Sequence, residues 1–140
     1  PIFQINHTST SKKGSVRGFH YQNYPYAEMK LVSCIRGKVL DIAVDLREGS
    51  QTFLQWHAEI LSDENMSALL IPEGFAHGFQ ALEDKCELLY LHSQEYKSSE
   101  EGGIRYNDPQ LDIPWPLEVV EVSERDQNHP LLTKLFLGIK

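Results

Sequence analysis

The sequence predicts an all-β domain, either a sandwich or a barrel of many short strands. Apolar residues occupy positions 40, 42, 44 and 46, and Asp or Ala occupies the positions between them. This alternation is typical of a half-buried strand with one apolar face. Turn-forming residues separate segments of this kind, and no long segment before residue 123 has a helical period. Short strands divided by turns at this spacing are typical of sandwiches and barrels.

Five segments have the apolar content expected of strands: residues 30–35, 40–46, 53–61, 67–71 and 86–92. Turn signals lie between them, at residues 36–38, 48–50, 62–65, 72–74 and 82–85. The pair Gly102-Gly103 is too weak a signal for a phosphate-binding loop, and it predicts a further turn.

The last third of the chain is predicted to be mostly irregular. Three prolines fall within residues 107–116. Because proline has no N–H to donate to a sheet, this segment cannot be a central strand, and we expect a loop that lies over the barrel. Ser123 is followed by Glu-Arg-Asp, which resembles a helix N-terminus and predicts a short helix in the tail.

The composition fits one globular domain that covers residues 1–140. Hydrophobic residues make up 41% of the chain and charged residues 24%, and there are no repeats or linkers. The net charge of −7 argues against non-specific nucleic-acid binding, and no apolar run is long enough to cross a membrane. The first residues show neither the basic nor the apolar region of a secretory signal, so a cytoplasmic protein is expected. Cys34 and Cys86 lie in apolar stretches and are expected to be buried thiols.

Four polar side chains fall inside strand-like segments: His20, Lys30, His77 and Tyr90. A stable core gains little from such residues, because each buried polar group needs a partner. Proton transfer, in contrast, requires groups of these types in a shielded cavity.

A metal site is the first alternative, because the pattern Pro72-x-Gly-x-x-His77 resembles one motif of the metal-binding cupins. Those proteins also need a His-x-His pair, and here the matching positions after His20 are Tyr and Gln. Three or four ligands are usual for a protein-bound transition metal. No metal is therefore expected, and the remaining histidines are scattered in polar contexts: His7, His57, His92 and His129.

Several blocks of the sequence resemble the dTDP-4-dehydrorhamnose 3,5-epimerases. They are residues 12–22, 30–45, 71–79, 103–109 and 113–116, and the similarity runs in the family's order from about Gln4 to Leu132. The resemblance implies a cupin jelly-roll barrel (a double-stranded β-helix), usually a homodimer, which acts without a cofactor. It also implies a nucleotide-linked 4-keto-6-deoxyhexose as substrate, inverted at carbon 3 and at carbon 5.

The resemblance also implies roles for individual residues. His20 matches the catalytic base, Asp126 the carboxylate that orients it, Tyr90 the proton donor and Lys30 the cation near the developing enolate. Tyr96 matches a tyrosine that stacks on thymine, and the other substrate contacts match Gln4, Asn6, Arg17, His77, Glu101 and Arg125.

These four catalytic roles are chemically reasonable, but each has a structural rival. A strand histidine is usually a partnered structural residue, and Tyr90 is a plausible core aromatic. Lys30 could extend to solvent along an apolar stem, and Asp126 could act only as part of a helix cap. The sequence around these residues matches the family, and this match favours the catalytic role for each of the four.

The sequence departs from the family at three places. Family members usually carry a further segment before the position of Gln4. That segment supplies an Arg and a Glu to the substrate phosphates, often those in the partner subunit. This chain therefore resembles a shortened member. Phe19 replaces the more usual Leu beside the base, and Glu95 replaces the first Tyr of a pair. Three alternatives therefore stay open: a 3-only epimerase, a sugar-nucleotide 3,4-ketoisomerase and a non-catalytic cupin that binds sugar nucleotides.

Overall fold

The computed structural model describes all of residues 1–140 and contains nine strands and one short α-helix. The strands are β1 (Gln4–Thr10), β2 (Val16–Gln22), β3 (Lys30–Arg36), β4 (Lys38–Asp45), β5 (Trp56–Ser62), β6 (Ala68–Ile71), β7 (Phe75–Ala81), β8 (Cys86–His92) and β9 (Glu101–Gly103). A 3₁₀ turn at Ser98–Glu100 precedes β9, and the helix α1 covers Glu124–Gln127.

The strands form two antiparallel sheets that face each other. The first sheet has the order β1-β8-β3-β6, and the second has the order β5-β4-β7-β2-β9. The chain passes from one sheet to the other at most of its connections, which is the arrangement of a jelly roll. The prediction of an all-β cupin barrel is confirmed.

The space between the sheets is apolar at one end and polar at the other. Val32, Val39, Phe79 and Leu88 belong to the apolar cluster. Further along β8, every second side chain still points inward, because buried residues alternate through the whole strand. The polar end of the barrel therefore lies in the same interior as the core.

A second apolar cluster lies on the outer face of the five-stranded sheet, under the C-terminal part of the chain. Ile42 and Val44 of β4 belong to this cluster together with Leu111 and Ile139. The Trp115 ring stacks on Phe19 with its centroid 5.9 Å away. These contacts confirm that the proline-containing segment lies over the barrel.

The same packing corrects the prediction for β4. The sequence indicated one apolar face, but every residue from Asp41 to Asp45 is buried. Asp41 faces the barrel interior, and Ile42 faces the layer formed by the C-terminal segment. The alternation of polar and apolar residues in β4 thus reflects two buried environments.

Two further element predictions were wrong. The strand predicted from residue 53 begins only at Trp56, because residues 51–54 form a turn in which Leu54 has a φ of 66°. Gly102 and Gly103 lie in β9 instead of a turn, and Gly103 pairs with His20 of β2. A Cβ atom at Gly103 would lie 2.2 Å from Cε1 of His129, so close packing explains this glycine.

The predictions for the tail and the cysteines are confirmed. Ser123 accepts a hydrogen bond from the backbone N–H of Asp126 and thereby caps α1. Cys34 and Cys86 are free and buried, and burial raises the pKa of Cys34 to about 11. With four residues, α1 is far shorter than a membrane-spanning helix, and no helix of the chain meets the requirements for one.

Candidate active site

A cavity of about 190 Å³ opens at the polar end of the barrel. Its walls come from both sheets, and the lining residues are Asn6, Thr8, Arg17, His20, Lys30, His77, Gly78, Phe79, Tyr90 and His92. The four polar residues that the sequence singled out within strands are therefore brought together in one place.

A bulge in β2 directs His20 into this cavity. The register of β2 against β7 shifts between Arg17 and His20. Gly18 lies at this bulge with a φ of +117°, and a Cβ atom there would lie 2.6 Å from Cα of Gly78. Only glycine permits this approach of the two strands, which places His20 opposite His77.

Asp126 fixes the orientation of the His20 ring. Nε2 of His20 lies 2.6 Å from Oδ1 of Asp126, and the backbone N–H of Gly18 donates to Oδ2 of the same carboxylate at 3.1 Å. Nε2 of His129 also contacts Oδ1, at 3.1 Å. Burial opposes ionisation of Asp126, but the hydrogen bond and charge of His20, with those from Gly18 and His129, hold its pKa well below the usual range.

An ionised Asp126 requires a proton on Nε2 of His20. The neutral imidazole then presents Nδ1 as its free, basic nitrogen. The side chain of His20 is 34% exposed and lines the cavity, so the ring is open to a ligand. The pair has the form of a general base held by a buried carboxylate.

Tyr90 lies on the opposite wall of the cavity, on β8 of the four-stranded sheet. Its ring makes an edge contact with His77 and stacks against His92, with centroid distances of 5.7 Å and 5.9 Å. Burial, followed by the negative charge of Asp41, raises the pKa of Tyr90 above its usual value. The phenol is therefore a protonated acid at neutral pH.

Lys30 lines the same cavity, is buried and does not extend to solvent. It lies on β3, next to β8, and its side chain is 11% exposed. Its ammonium group lies 3.3 Å from Oε1 of Glu28. The structure thus places a cation in the wall of the cavity.

His77 has a buried partner that sequence reasoning did not assign. Nε2 of His77 lies 2.5 Å from Oδ1 of Asp41, which is fully buried. Asp41 occupied a position predicted to be the polar face of a half-buried strand. The register of β4 and β7 pairs Ala43, not Asp41, with His77, and no local sequence signal connects Asp41 with His77.

Five of the predicted substrate contacts form one chain of polar contacts, which reaches the cavity at Asn6 and the adjoining larger groove at Arg125. Nε2 of Gln4 donates to Oδ1 of Asn6 at 3.0 Å, and the N–H of Tyr96 donates to Oε1 of Gln4 at 2.9 Å. The Tyr96 hydroxyl contacts Glu101, which pairs in turn with Arg125. Burial raises the pKa of Glu101, but the bonds from Arg125 and Tyr96 outweigh it and lower this pKa.

The family model for dTDP-4-dehydrorhamnose 3,5-epimerases matches residues 1–134. The chain belongs to this family. A relative named as the 3,5-epimerase of Shigella flexneri is 47% identical over 125 residues, which are 89% of this chain and 68% of the relative.

Other members of the epimerase family resemble the chain to a similar degree. The crystal structure of a 3,5-epimerase from Legionella pneumophila, in complex with dTDP-4-keto-L-rhamnose, is 45% identical with a TM-score of 0.88; the match covers 94% of this chain and 69% of that one. A relative named dTDP-4-dehydrorhamnose 3-epimerase, from Streptomyces niveus, is 41% identical over 90% of this chain and 61% of its own length. The family therefore includes members named for inversion at one carbon.

Arg17 lies where two openings meet. It lines the cavity and also a larger groove of about 590 Å³, and His20 lines both as well. Nη2 of Arg17 donates to the carbonyl of Ser9 at 2.9 Å, which holds the guanidinium at this junction.

Two of the histidines that were expected to lie scattered in polar surroundings belong to the site. His129 contacts Asp126 and is 9% exposed, and His92 lines the cavity and is 8% exposed. His92 could have been found from the sequence, since it lies two residues after Tyr90 and hence on the same face of β8. No local pattern connects His129 with His20.

His20, Asp126 and His129 are also close enough to raise the question of a metal, since their ligand atoms lie within 4.8 Å of one another. Both imidazoles direct Nε2 at one oxygen of a single carboxylate, at 2.6 Å and 3.1 Å. Hydrogen bonding accounts for this arrangement fully. That no metal is required stays a prediction.

Proposed function

We propose that this protein epimerises carbon 3 and carbon 5 of a dTDP-linked 4-keto-6-deoxyhexose. One observation carries the proposal. A carboxylate-held imidazole lies on one wall of the cavity and a protonated phenol on the other, with an ammonium group between the sheets. Inversion of a carbon centre needs a base on one side of the ring and an acid on the other.

The reaction begins with proton removal beside the C4 carbonyl. His20 takes the proton from carbon 3 onto Nδ1, and Asp126 stabilises the imidazolium that forms. The electron pair of the broken C–H bond delocalises onto the C4 oxygen, and the ammonium of Lys30 stabilises that enolate in the poorly hydrated cavity.

Reprotonation from the opposite face completes the inversion. The Tyr90 hydroxyl gives its proton to carbon 3, the C4 carbonyl reforms, and the phenolate regains a proton from solvent while His20 releases its own. A phenol whose pKa is raised is a weak acid, but an enolate is a strong enough base to accept its proton. The same two groups act on carbon 5, since it also neighbours the carbonyl.

The nucleotide is assigned to the rim. Tyr96 is 51% exposed, so one face of its ring is free to stack on thymine. Gln4 and Asn6 offer amide groups beside it, and Arg125 and Arg17 supply positive charge for the diphosphate. This assignment follows the residue matches to the family.

A second copy of the chain is the proposed partner. The outer face of the four-stranded sheet carries three exposed apolar side chains, Ile5, Ile35 and Leu70. Such a face on neighbouring strands is typical of a homodimer interface. Light scattering after size exclusion should give twice the chain mass, and Leu70→Lys should shift the mass to that of one chain; a monomeric wild type would contradict the dimer.

The function is tested by incubating dTDP-4-keto-6-deoxyglucose with the protein in heavy water and measuring the mass of the sugar. Uptake of two deuterons supports inversion at both carbons. Uptake of one deuteron, at carbon 3 with the carbonyl unmoved, would favour the 3-only reaction for which the Streptomyces niveus relative is named. Uptake of none would contradict the proposal, and a carbonyl moved to carbon 3 would indicate a ketoisomerase.

A further inference from the structure

A buried imidazole lines the cavity in addition to those of His20 and His77, and the proton transfers described above do not use it. His92 lies at the end of β8, with its side chain 10% exposed. Its Nε2 is one of three buried side-chain atoms in the protein that have no hydrogen-bond partner. An unpaired buried polar atom is costly, so one that lines a ligand cavity calls for a partner from the ligand.

The other nitrogen of the ring is fixed. Nδ1 of His92 lies 3.0 Å from Oε2 of Glu28, and the second oxygen of that carboxylate, Oε1, lies 3.3 Å from the ammonium of Lys30. Burial opposes ionisation of Glu28, but the hydrogen bond of His92 and the charge of Lys30 lower its pKa. The carboxylate is therefore ionised, and it holds a proton on Nδ1.

With its proton on Nδ1, a neutral His92 can only accept a hydrogen bond at Nε2. The carbonyl oxygen of the sugar is itself an acceptor and cannot satisfy Nε2. A hydroxyl group can.

The position of His92 indicates which hydroxyl. His92 and Lys30 are directly opposite each other on the paired strands β8 and β3, and both are bound by Glu28. If Lys30 stabilises the oxygen on carbon 4, as in the proposed function on which this inference rests, His92 reaches a substituent of a neighbouring carbon. In a 4-keto-6-deoxyhexose, carbon 5 carries a methyl group, so the only hydroxyl beside the carbonyl is that of carbon 3.

We propose that Nε2 of His92 accepts a hydrogen bond from the carbon 3 hydroxyl, and that Glu28 positions His92 and Lys30 together for adjacent oxygens of the sugar. His92 is then a specificity-determining residue: it favours sugars with a hydroxyl at carbon 3 over those that lack it.

The test compares two stable ligands, dTDP-6-deoxyglucose and its 3-deoxy analogue, by titration calorimetry. The wild type should bind the hydroxylated ligand about tenfold more tightly, the value of one buried hydrogen bond. His92→Leu should reduce this ratio to about one by weakening only the hydroxylated ligand. His92→Gln, which keeps an acceptor near Nε2, should retain part of the preference.

The matched control is His57→Leu, because His57 is also a strand histidine bonded to a glutamate, at 2.8 Å from Glu59, but lies on the exposed surface. That variant should keep the tenfold ratio. A ratio near one in the wild type, or an unchanged ratio in His92→Leu, would overturn the role of His92 while leaving the epimerase proposal intact. Failure of the wild type to bind either ligand would overturn both.

Discussion

Nε2 of His20 and Oδ1 of Asp126 lie 2.6 Å apart, although the residues are 106 positions apart in the sequence. His20 belongs to the second strand of the barrel, and Asp126 belongs to the capped helix in the tail. The tail must therefore return to β2 before the proposed base has its carboxylate.

Asp126→Asn should lower the rate of deuterium uptake from heavy water by about 10²-fold or more. The amide can donate a hydrogen bond to Nε2 of His20, which favours the tautomer with its proton on Nδ1 and removes the free basic nitrogen. The exchange rate of the sugar protons measures this effect. Glu124→Gln, an exposed change in the same helix, should leave the rate unchanged; an equal loss in both variants would argue for a purely structural role of α1.

Tyr90→Phe should keep proton removal but lose inversion. The phenylalanine ring preserves the contacts with His77 and His92 and lacks only the hydroxyl. We expect the yield of inverted sugar to fall by about 10²-fold or more, with exchange at carbon 3 partly retained and the original configuration recovered. Nuclear magnetic resonance of the labelled product distinguishes exchange from inversion, and Tyr106→Phe, outside the cavity, is the matched control.

The pH profile of the wild type gives a second test of Tyr90. A proton donor must be protonated, and the pKa of Tyr90 is raised above 10.0. The maximal rate should therefore show no loss from phenol ionisation up to about pH 10. A decline near pH 8 that disappears in Tyr90→Phe would contradict the assignment.

Acid should destabilise the fold partly through Asp126. Its pKa is lower in the folded protein than in the unfolded chain, so its contribution is present above the unfolded value, about 3.9, and is lost as the pH falls through the folded value. The free energy of unfolding, measured with urea, should therefore fall between pH 6 and pH 2.5 by more in the wild type than in Asp126→Asn. The expected difference between the two proteins is on the order of 2 kcal/mol. Glu118→Gln, an exposed change outside the site, should behave like the wild type.

Gly103→Ala should destabilise the protein through one identifiable contact. The new methyl group would overlap the ring of His129, which also contacts Asp126. We expect a lower thermal midpoint and slower exchange, and the double variant Gly103→Ala, His129→Ala should recover part of the stability. If the double variant is no more stable than the single one, the overlap with His129 is not the cause.

The sequence predicted the barrel and much of its site because both signals are local. The alternation of residues along β4 and β8 indicates a strand, whichever strand lies beside it. The blocks that contain His20, Lys30 and Tyr90 are each continuous in the sequence. The roles implied for these three residues place them in one cavity, as the structure does.

The features that were missed depend on packing between distant segments. β4 was predicted to have one apolar face, because nothing near residue 42 indicates that residues 111 and 139 will cover the other. His129 contacts Asp126 locally, three residues away, but the position of both residues beside His20 follows from the return of the tail to β2. Glu28 and His92 are 64 residues apart, so their pairing became visible only in the register of β3 and β8.

The layer that covers β4 has a consequence for how the protein becomes active during synthesis. Residues 104–139 supply that layer and also carry Asp126, so the chain that emerges from the ribosome can pair β1 to β9 before its base has a carboxylate. The nascent barrel would hold His20 in either tautomer and would leave the outer face of the five-stranded sheet exposed to water. On the proposed mechanism, the base is therefore complete only after the segment that carries Asp126 has been translated and has folded back onto β2.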